Sequence, residues 1–146
     1  MATKGLPICE PQGYPWQVIV TDATGASGSP YTPSGNTSRI NVEGYSRVTF
    51  RAKYLTAETL TTDPVCKVWG LREGTTKWES LYDTNATASL TLTLADAATD
   101  NNDATYKYTH NVYPYDTRGC SWVTVTVVTA AVSSAAGAVV IEASVF

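Results

Sequence analysis

The amino-acid sequence predicts an all-β protein: an antiparallel, jelly-roll-like β-sandwich with about nine strands and an extended N-terminal arm. Short segments alternate between apolar and polar residues, which is the pattern of half-buried strands. Gly and Pro interrupt these segments at regular spacing, as turns between strands require. No segment longer than a turn has helical periodicity, so helices are not expected to contribute to the core.

Two alternating stretches, Glu43–Tyr54 and Arg118–Ala130, form the centre of the predicted sandwich. In the second stretch valines alternate with threonines, so that one strand face is apolar and the other carries hydroxyl groups. Aligning Gly44 with Gly119, an offset of 75 residues, keeps the two alternations in phase. A match this short is weak evidence for duplication. It predicts two equivalent central strands, each entered from a glycine that needs a permissive backbone.

The other strands are shorter and separated by turn signals. Glu73–Thr75 predicts the turn of a hairpin, Ala95–Ala104 a polar loop and Asn111–Thr117 an aromatic turn. The predicted strands are Trp16–Thr21, Arg39–Glu43, Arg47–Tyr54, Val65–Arg72, Thr76–Asp83, Ala88–Leu94, Thr105–His110, Cys120–Thr129 and Ala138–Val145.

The beginning of the chain differs in composition from the remainder. Residues 1–15 are interrupted by Pro and Gly, and residues 22–37 form a Gly/Ser/Pro/Thr-rich loop that is long for a compact domain. We therefore predict an arm with one short strand over residues 1–37 and a β-sandwich domain over residues 38–146. A length of 146 residues is ordinary for a single domain.

Composition argues against several classes of partner. The formal net charge is −3, from 10 basic and 13 acidic residues without a long run of either sign, so neither nucleic acid nor an anionic membrane is expected to bind. No apolar run approaches the ~20 residues of a membrane-spanning helix, and the N-terminus lacks the apolar core of a signal peptide. We expect synthesis and assembly in a cytoplasm. Free buried thiols are expected at Cys9, Cys66 and Cys120 rather than a disulfide.

Candidate catalytic and metal-binding groups are few. His110 is the single histidine, and nothing in its spacing from Asp116 and Ser121 supports a catalytic triad. The acidic loop at residues 96–103 lacks the ligand spacing and central glycine of an EF-hand, so a solvated turn is preferred to calcium binding. We predict that the protein is not an enzyme and uses no cofactor or metal.

Aromatic residues are the strongest functional signal. Nine tyrosines and four tryptophans are many for this length. Several fall in loops, and Trp122 falls on the hydroxyl face of its strand, opposite the valines. Such rings are enriched at protein interfaces, although each of them could fill the core instead, and for Trp122 the two alternatives stay equally open. The predicted partner-binding residues are Leu6, Ile8, Tyr14, Trp16, Tyr31, Tyr113, Tyr115 and Trp122.

A glycine bend followed by an alternating strand, as in GYSRVTFRAKY and GCSWVTVTVVTA, resembles β-sandwich structural proteins of tailed bacteriophages. Head-decoration (cement) proteins and fibre-associated jelly rolls combine such strands with a Pro/Gly-rich arm. The resemblance implies a non-enzymatic virion protein that binds the major capsid protein on the outer capsid surface and stabilises contacts between its subunits. Assembly as a dimer or trimer is expected. Carbohydrate-binding modules have similar strands, so sugar binding through Trp69, Trp78 and Trp122 is the alternative.

Overall fold

Two antiparallel sheets form the protein in the computed structural model, which describes residues 16–24, 38–58, 62–82, 89–93, 98–100, 103–109, 114–131 and 137–146. These ranges contain strands and no helix, which confirms the predicted all-β class. None of them holds a helix with the length and hydropathy needed to cross a membrane. In chain order the strands are β1 (Gln17–Val20), β2 (Ile40–Asn41), β3 (Arg47–Leu55), β4 (Val65–Arg72), β5 (Trp78–Ser80), β6 (Ser89–Thr91), β7 (Ala98–Asp100), β8 (Asp103–Tyr108), β9 (Tyr115–Asp116), β10 (Cys120–Thr129) and β11 (Val139–Val145).

The two predicted central strands lie inside different sheets. The six-stranded sheet has the order β1-β11-β3-β8-β7, and β9 also pairs with β3. The five-stranded sheet has the order β2-β10-β4-β5, and β6 also pairs with β4. Gly44 precedes β3 with a φ of +83°, and Gly119 precedes β10 with a φ of +85°. Both glycines therefore occupy the permissive backbone region that their place in the sequence predicted.

The core lies between the two sheets and is built from alternate residues of each strand. Because successive side chains of a strand point to opposite faces, the period of two places one apolar row of each sheet inward. The core also includes Ile19 and Ala23, so β1 is part of the sandwich although it precedes the long N-terminal loop. Fully buried members from the central strands and β11 are Val48, Phe50, Ala52, Val123, Val139, Ile141 and Ala143.

Several segments differ from the predicted strands and loops. The segment Ala95–Ala104, predicted as a loop, contains β7 and the first residues of β8, and the predicted turn Asn111–Thr117 contains β9. Among the described residues, the strand predicted over Thr76–Asp83 is reduced to β5, the one over Arg39–Glu43 to β2 and the one over Ala88–Leu94 to β6. Strands of two or three residues show no periodicity, and these exist because neighbouring strands supply hydrogen-bonding partners, as β3 does for β9.

Candidate binding surfaces

The structure describes three of the predicted partner-binding residues, and it places them in three different environments. Trp16 precedes β1 beside the six-stranded sheet, Tyr115 lies in the core, and Trp122 lies on the outer face of the five-stranded sheet. The other predicted contact residues lie outside the described residues; they are Leu6, Ile8, Tyr14, Tyr31 and Tyr113.

The prediction of Tyr115 as a contact residue is wrong, because its side chain is only 1% exposed. Its ring packs edge-to-face on Phe50, with a centroid separation of 5.6 Å and an interplanar angle of 76°. The cause is the short strand β9, in which Tyr115 pairs with Val48 and takes the inward-facing position. Sequence reasoning treated this segment as a surface turn and so missed the burial.

On the outer face of the six-stranded sheet, charged and aromatic side chains gather around Arg51. Its guanidinium lies over the ring of Trp16, 4.2 Å from the centroid, and over the ring of Tyr108 at 4.5 Å. Arg51 Nε also donates a hydrogen bond of 3.0 Å to Glu142 Oε1 on the neighbouring strand β11. The cation is thus held between two rings and a carboxylate, an arrangement that favours one fixed position.

A second cation completes this group, which we call the Arg51 cluster (Trp16, Arg51, Lys53, Tyr106, Tyr108 and Glu142). Lys53 Nζ lies 3.7 Å from Glu142 Oε2 and 4.8 Å from the ring centroid of Tyr106. The Glu142 side chain is 8% exposed, so a single buried carboxylate is neutralised by two partly exposed cations. No local sequence pattern indicates this cluster, because its residues come from four separate segments of the chain.

The outer face of the five-stranded sheet carries three tryptophans, which we call the tryptophan face (Trp69, Trp78 and Trp122). Trp122 of β10 lies opposite Leu71 of β4, which in turn lies opposite Trp78 of β5. Residues directly opposite one another share a sheet face, and the intervening inward positions hold core residues such as Val123. The prediction that Trp122 occupies the hydroxyl face, opposite the valines, is confirmed.

The rings of the tryptophan face already have partners within the protein. Trp69 is 8% exposed, its Nε1 donates a 3.0 Å hydrogen bond to Thr126 Oγ1, and Lys67 Nζ lies 4.5 Å from its ring centroid. Trp122 is half-buried, and the Arg39 guanidinium lies 4.6 Å from its ring centroid. A sugar-stacking platform needs an open ring face, and cations lie over both of these rings.

Trp78, the third member of the tryptophan face, also offers little open ring surface. Trp78 is 8% exposed, so little of its ring is open to a ligand. Trp122 is half-buried on the outer face and is not a member of the core cluster formed by the described residues. Its role at an interface stays a prediction.

A polar pocket of about 170 Å³ lies beside the turn that enters β10 and is lined by Ser46, Arg47, Asp116 and Arg118. Arg118 binds Asp116 in a fork, with Nε 3.0 Å from Oδ1 and Nη2 2.5 Å from Oδ2. These hydrogen bonds from Arg118 are the main reason that the pKa of Asp116 falls to about 2. Asp116 is therefore an ion-pair partner, and it is not available to orient a histidine as in a triad.

The described cysteines are free and buried, as predicted for Cys66 and Cys120, whereas Cys9 lies outside the described residues. Burial raises the pKa of the Cys66 thiol to about 12. Burial also raises the pKa of Cys120. Since the thiolate is the nucleophile, neither group is suited to covalent chemistry at neutral pH. Within the described ranges no group of three or more His, Cys, Asp or Glu side chains could hold a metal ion.

Comparison with known proteins assigns the chain to no family. No family model, curated protein or solved structure matches it. Its function must therefore be inferred from its own residues.

Proposed function

We propose that the protein is a non-enzymatic virion structural protein that decorates the outer surface of a capsid. It binds the major capsid protein, clamps neighbouring capsid subunits and assembles in the host cytoplasm, itself as a dimer or trimer. The observation that carries the proposal is the place where the N-terminal segment joins the fold. Residues 1–15 lead into β1, which lies at one end of the six-stranded sheet and pairs with β11 alone among the described strands.

A segment attached at a sheet edge can reach a neighbouring molecule without disturbing the core. The core cluster of the described residues begins at Ile19, which follows the Pro- and Gly-interrupted residues 1–15. Val18, at the same edge, leaves 47% of its surface exposed to a partner. Extended segments bind other proteins by adding to sheet edges and by inserting apolar side chains, and the arm has Leu6, Ile8 and Tyr14 for that purpose.

The side chains on the sandwich surface favour protein binding over chemistry or sugar binding. Among the described residues, Asp116 is held in an ion pair and the thiols of Cys66 and Cys120 are buried, so these three groups are poorly suited to act as a nucleophile or base. Cations lie over the rings of Trp69 and Trp122, which reduces the area on which a sugar could stack. An N-terminal arm attached to a well-packed sandwich is consistent with a protein whose role is to bind other proteins.

Binding to capsids is tested by co-sedimentation of the purified full-length chain with phage heads that lack their outer proteins, beside a glycan array. Full-length protein is expected to bind heads saturably and to leave the array silent. A chain lacking residues 1–14 should keep its denaturation midpoint, because the core cluster of the described residues begins at Ile19. It should bind heads at least tenfold more weakly, which is roughly 1.4 kcal/mol.

A matched control keeps the arm and changes only its apolar side chains. Replacing Leu6, Ile8 and Tyr14 by serine should weaken head binding as much as the deletion does, if these side chains make the contacts. Unfolding of the truncated chain would contradict the independence of the arm. A defined glycan signal that is abolished by Trp122→Ala, together with no binding to heads, would assign the protein to sugar binding instead.

A further inference from the structure

The two central strands are entered through the same five-residue turn, Asn41–Tyr45 before β3 and Asp116–Cys120 before β10. In each turn the side-chain Oδ1 of the first residue accepts a hydrogen bond from the N–H of the third, at 2.9 and 3.0 Å. The N–H of the fifth residue donates to the carbonyl of the second, at 3.1 and 3.0 Å. The fourth residue is a glycine with positive φ, as a type II turn requires. Each residue lies 75 positions from its counterpart.

The strands that follow these turns keep the same offset in their pairing. Residues 48–52 of β3 pair in order with residues 145–141 of β11. Residues 123–127 of β10 pair in order with residues 70–66 of β4. Adding 75 to each β3 position and subtracting 75 from each β11 position yields the β10–β4 register without a slip. The short strands agree as well, since Tyr115 pairs with Val48 as Ile40 pairs with Val123.

The outermost strands extend the equivalence with a slightly different spacing. β1 pairs with β11 and β6 pairs with β4, both antiparallel. The backbone N–H of Ala23 donates to Val139 O at 2.9 Å, and that of Leu92 donates to Pro64 O at 3.1 Å. The two acceptors again lie 75 positions apart, whereas the donors differ by a shorter offset that reflects loops of unequal length.

From these matches we infer that the chain is a tandem of two equivalent units, and that each unit is the binding partner of the other. The first unit comprises β1, β2, β3 and β4, and the second comprises β6, β9, β10 and β11. Among the described strands, β3 pairs only with strands that follow residue 88, and β10 pairs only with β2 and β4. A central strand therefore has no partner within its own unit. The partner that its open edges fit is the other unit or a second copy of its own unit.

Sequence differences between the two units favour pairing of the first unit with the second over pairing of a unit with a second copy of itself. Gly70 in the first unit corresponds to Val145 in the second. A Cβ at Gly70 would lie 2.7 Å from Cys120 Sγ and 3.0 Å from Leu81 Cδ1, so a larger residue here would displace these two side chains. The two units have thus become complementary to each other at this contact.

The inference is tested by cutting the full chain once between the units, at a protease site inserted within residues 83–88. The cleaved protein is expected to stay together at the size of the intact chain, and the halves, separated in denaturant, should recombine one to one. Each half alone should be unfolded or self-associated, with self-association at least roughly tenfold weaker than recombination. Sedimentation and circular dichroism measure both. A half that is a folded monomer would overturn the inference, and so would halves that separate on cleavage and fail to recombine.

A circular permutant gives a second test in case the inserted site disturbs folding. Joining Phe146 to Met1 and opening the chain within residues 83–88 makes residues 1–16 connect β11 to β1, as residues 73–88 connect β4 to β6 in the natural order. Equivalent units predict cooperative unfolding with a midpoint close to that of the natural order. A permutant that has no cooperative transition would contradict the equivalence.

Discussion

The outer faces of the two sheets hold equivalent strand positions with different chemistry. At the centre of the six-stranded sheet Arg51 lies opposite Glu142, and at the corresponding place in the five-stranded sheet Thr126 lies opposite Lys67. On the first face Arg51 and Glu142 form a salt bridge, and their side chains are 24% and 8% exposed. The second is held by a neutral hydrogen bond from Trp69 Nε1 to Thr126 Oγ1 and by the burial of the indole ring.

The difference shows that strand register and surface chemistry vary independently in this protein. Register is specified by the inward rows, because a slip of one residue would turn every core side chain outward. Outward positions are free of that constraint, so the Arg51–Glu142 ion pair and the Thr126–Lys67 pair can occupy equivalent places without changing the sheets. The energetic consequences differ, since a buried carboxylate depends on its cations and an indole depends mainly on the area it buries.

The largest effect is expected at the ionic face. Arg51→Ala removes the cation between Trp16 and Tyr108 and leaves the buried Glu142 carboxylate with Lys53 alone. We expect the free energy of unfolding, measured by urea denaturation, to fall by about 3 kcal/mol.

Arg51→Lys is the matched control for this prediction. It keeps the positive charge but loses the planar fork and most of the ring stacking, so a loss of about 1 kcal/mol is expected. If Arg51→Ala changes the stability by no more than an ordinary surface substitution, within about 0.5 kcal/mol, the cluster does not stabilise the sheet.

A smaller effect is expected at the tryptophan face. Thr126→Val keeps the side-chain shape but leaves Trp69 Nε1 without its acceptor, which should lower the free energy of unfolding by about 1 to 2 kcal/mol. The same substitution in a Trp69→Phe background should cost much less, because the donor is already absent. Equal losses in both backgrounds, measured by urea denaturation, would show that the hydrogen bond is not the cause.

The smallest effect is expected where the two turns differ in charge, Asp116 in one and Asn41 in the other. The folded pKa of Asp116, about 2, lies below its ordinary value of 3.8, so this group stabilises the fold above about pH 4 and loses its contribution as the pH falls toward 2. Asp116→Asn gives the second turn the residue of the first. This variant should keep the turn. Because the ion pair is exposed, the free energy of unfolding at neutral pH should change by less than about 1 kcal/mol. The loss of stability in acid should become smaller.

Urea denaturation at a series of pH values measures this difference. The reverse variant, Asn41→Asp, is the control, since its third turn residue is Glu43 where the other turn has Arg118, so the first and third residues of that turn cannot form an ion pair. If the free energy of unfolding falls equally below about pH 4 in Asp116→Asn and in the unsubstituted chain, Asp116 does not contribute to the acid sensitivity.

Strand bounds were predictable from the sequence where alternation is long or a turn signal follows directly. The predicted bounds Val65–Arg72 and Cys120–Thr129 are those of β4 and β10, because the Glu73–Thr75 turn ends β4, and alternating valines and threonines specify β10 and its inward face. β7 and β9 were missed, since two or three residues carry no period. The same limit explains Tyr115, whose burial depends on the pairing of β9 with β3.

The surface clusters were less predictable than the strands. The alternation of Trp122 with the valines placed it correctly on the outer face. Trp16, however, was predicted to contact a partner because it belongs to the N-terminal arm. The structure puts an Arg51 guanidinium over the Trp16 ring, a contact between residues 35 positions apart in the chain. No local pattern indicates such a contact, because it depends on how β1, β11 and β3 are aligned.

The sequence by itself determined the features that depend on neighbouring residues: the all-β class, the inward row of each long strand and the two glycine turns. These follow from backbone geometry and from a period of two, which act over a few residues. Only the tertiary structure decided which strands pair, that each central strand pairs across the two units, and which aromatic rings are buried. Those outcomes depend on contacts between residues far apart in the chain, where the free energy of packing one whole sheet on another outweighs any local preference.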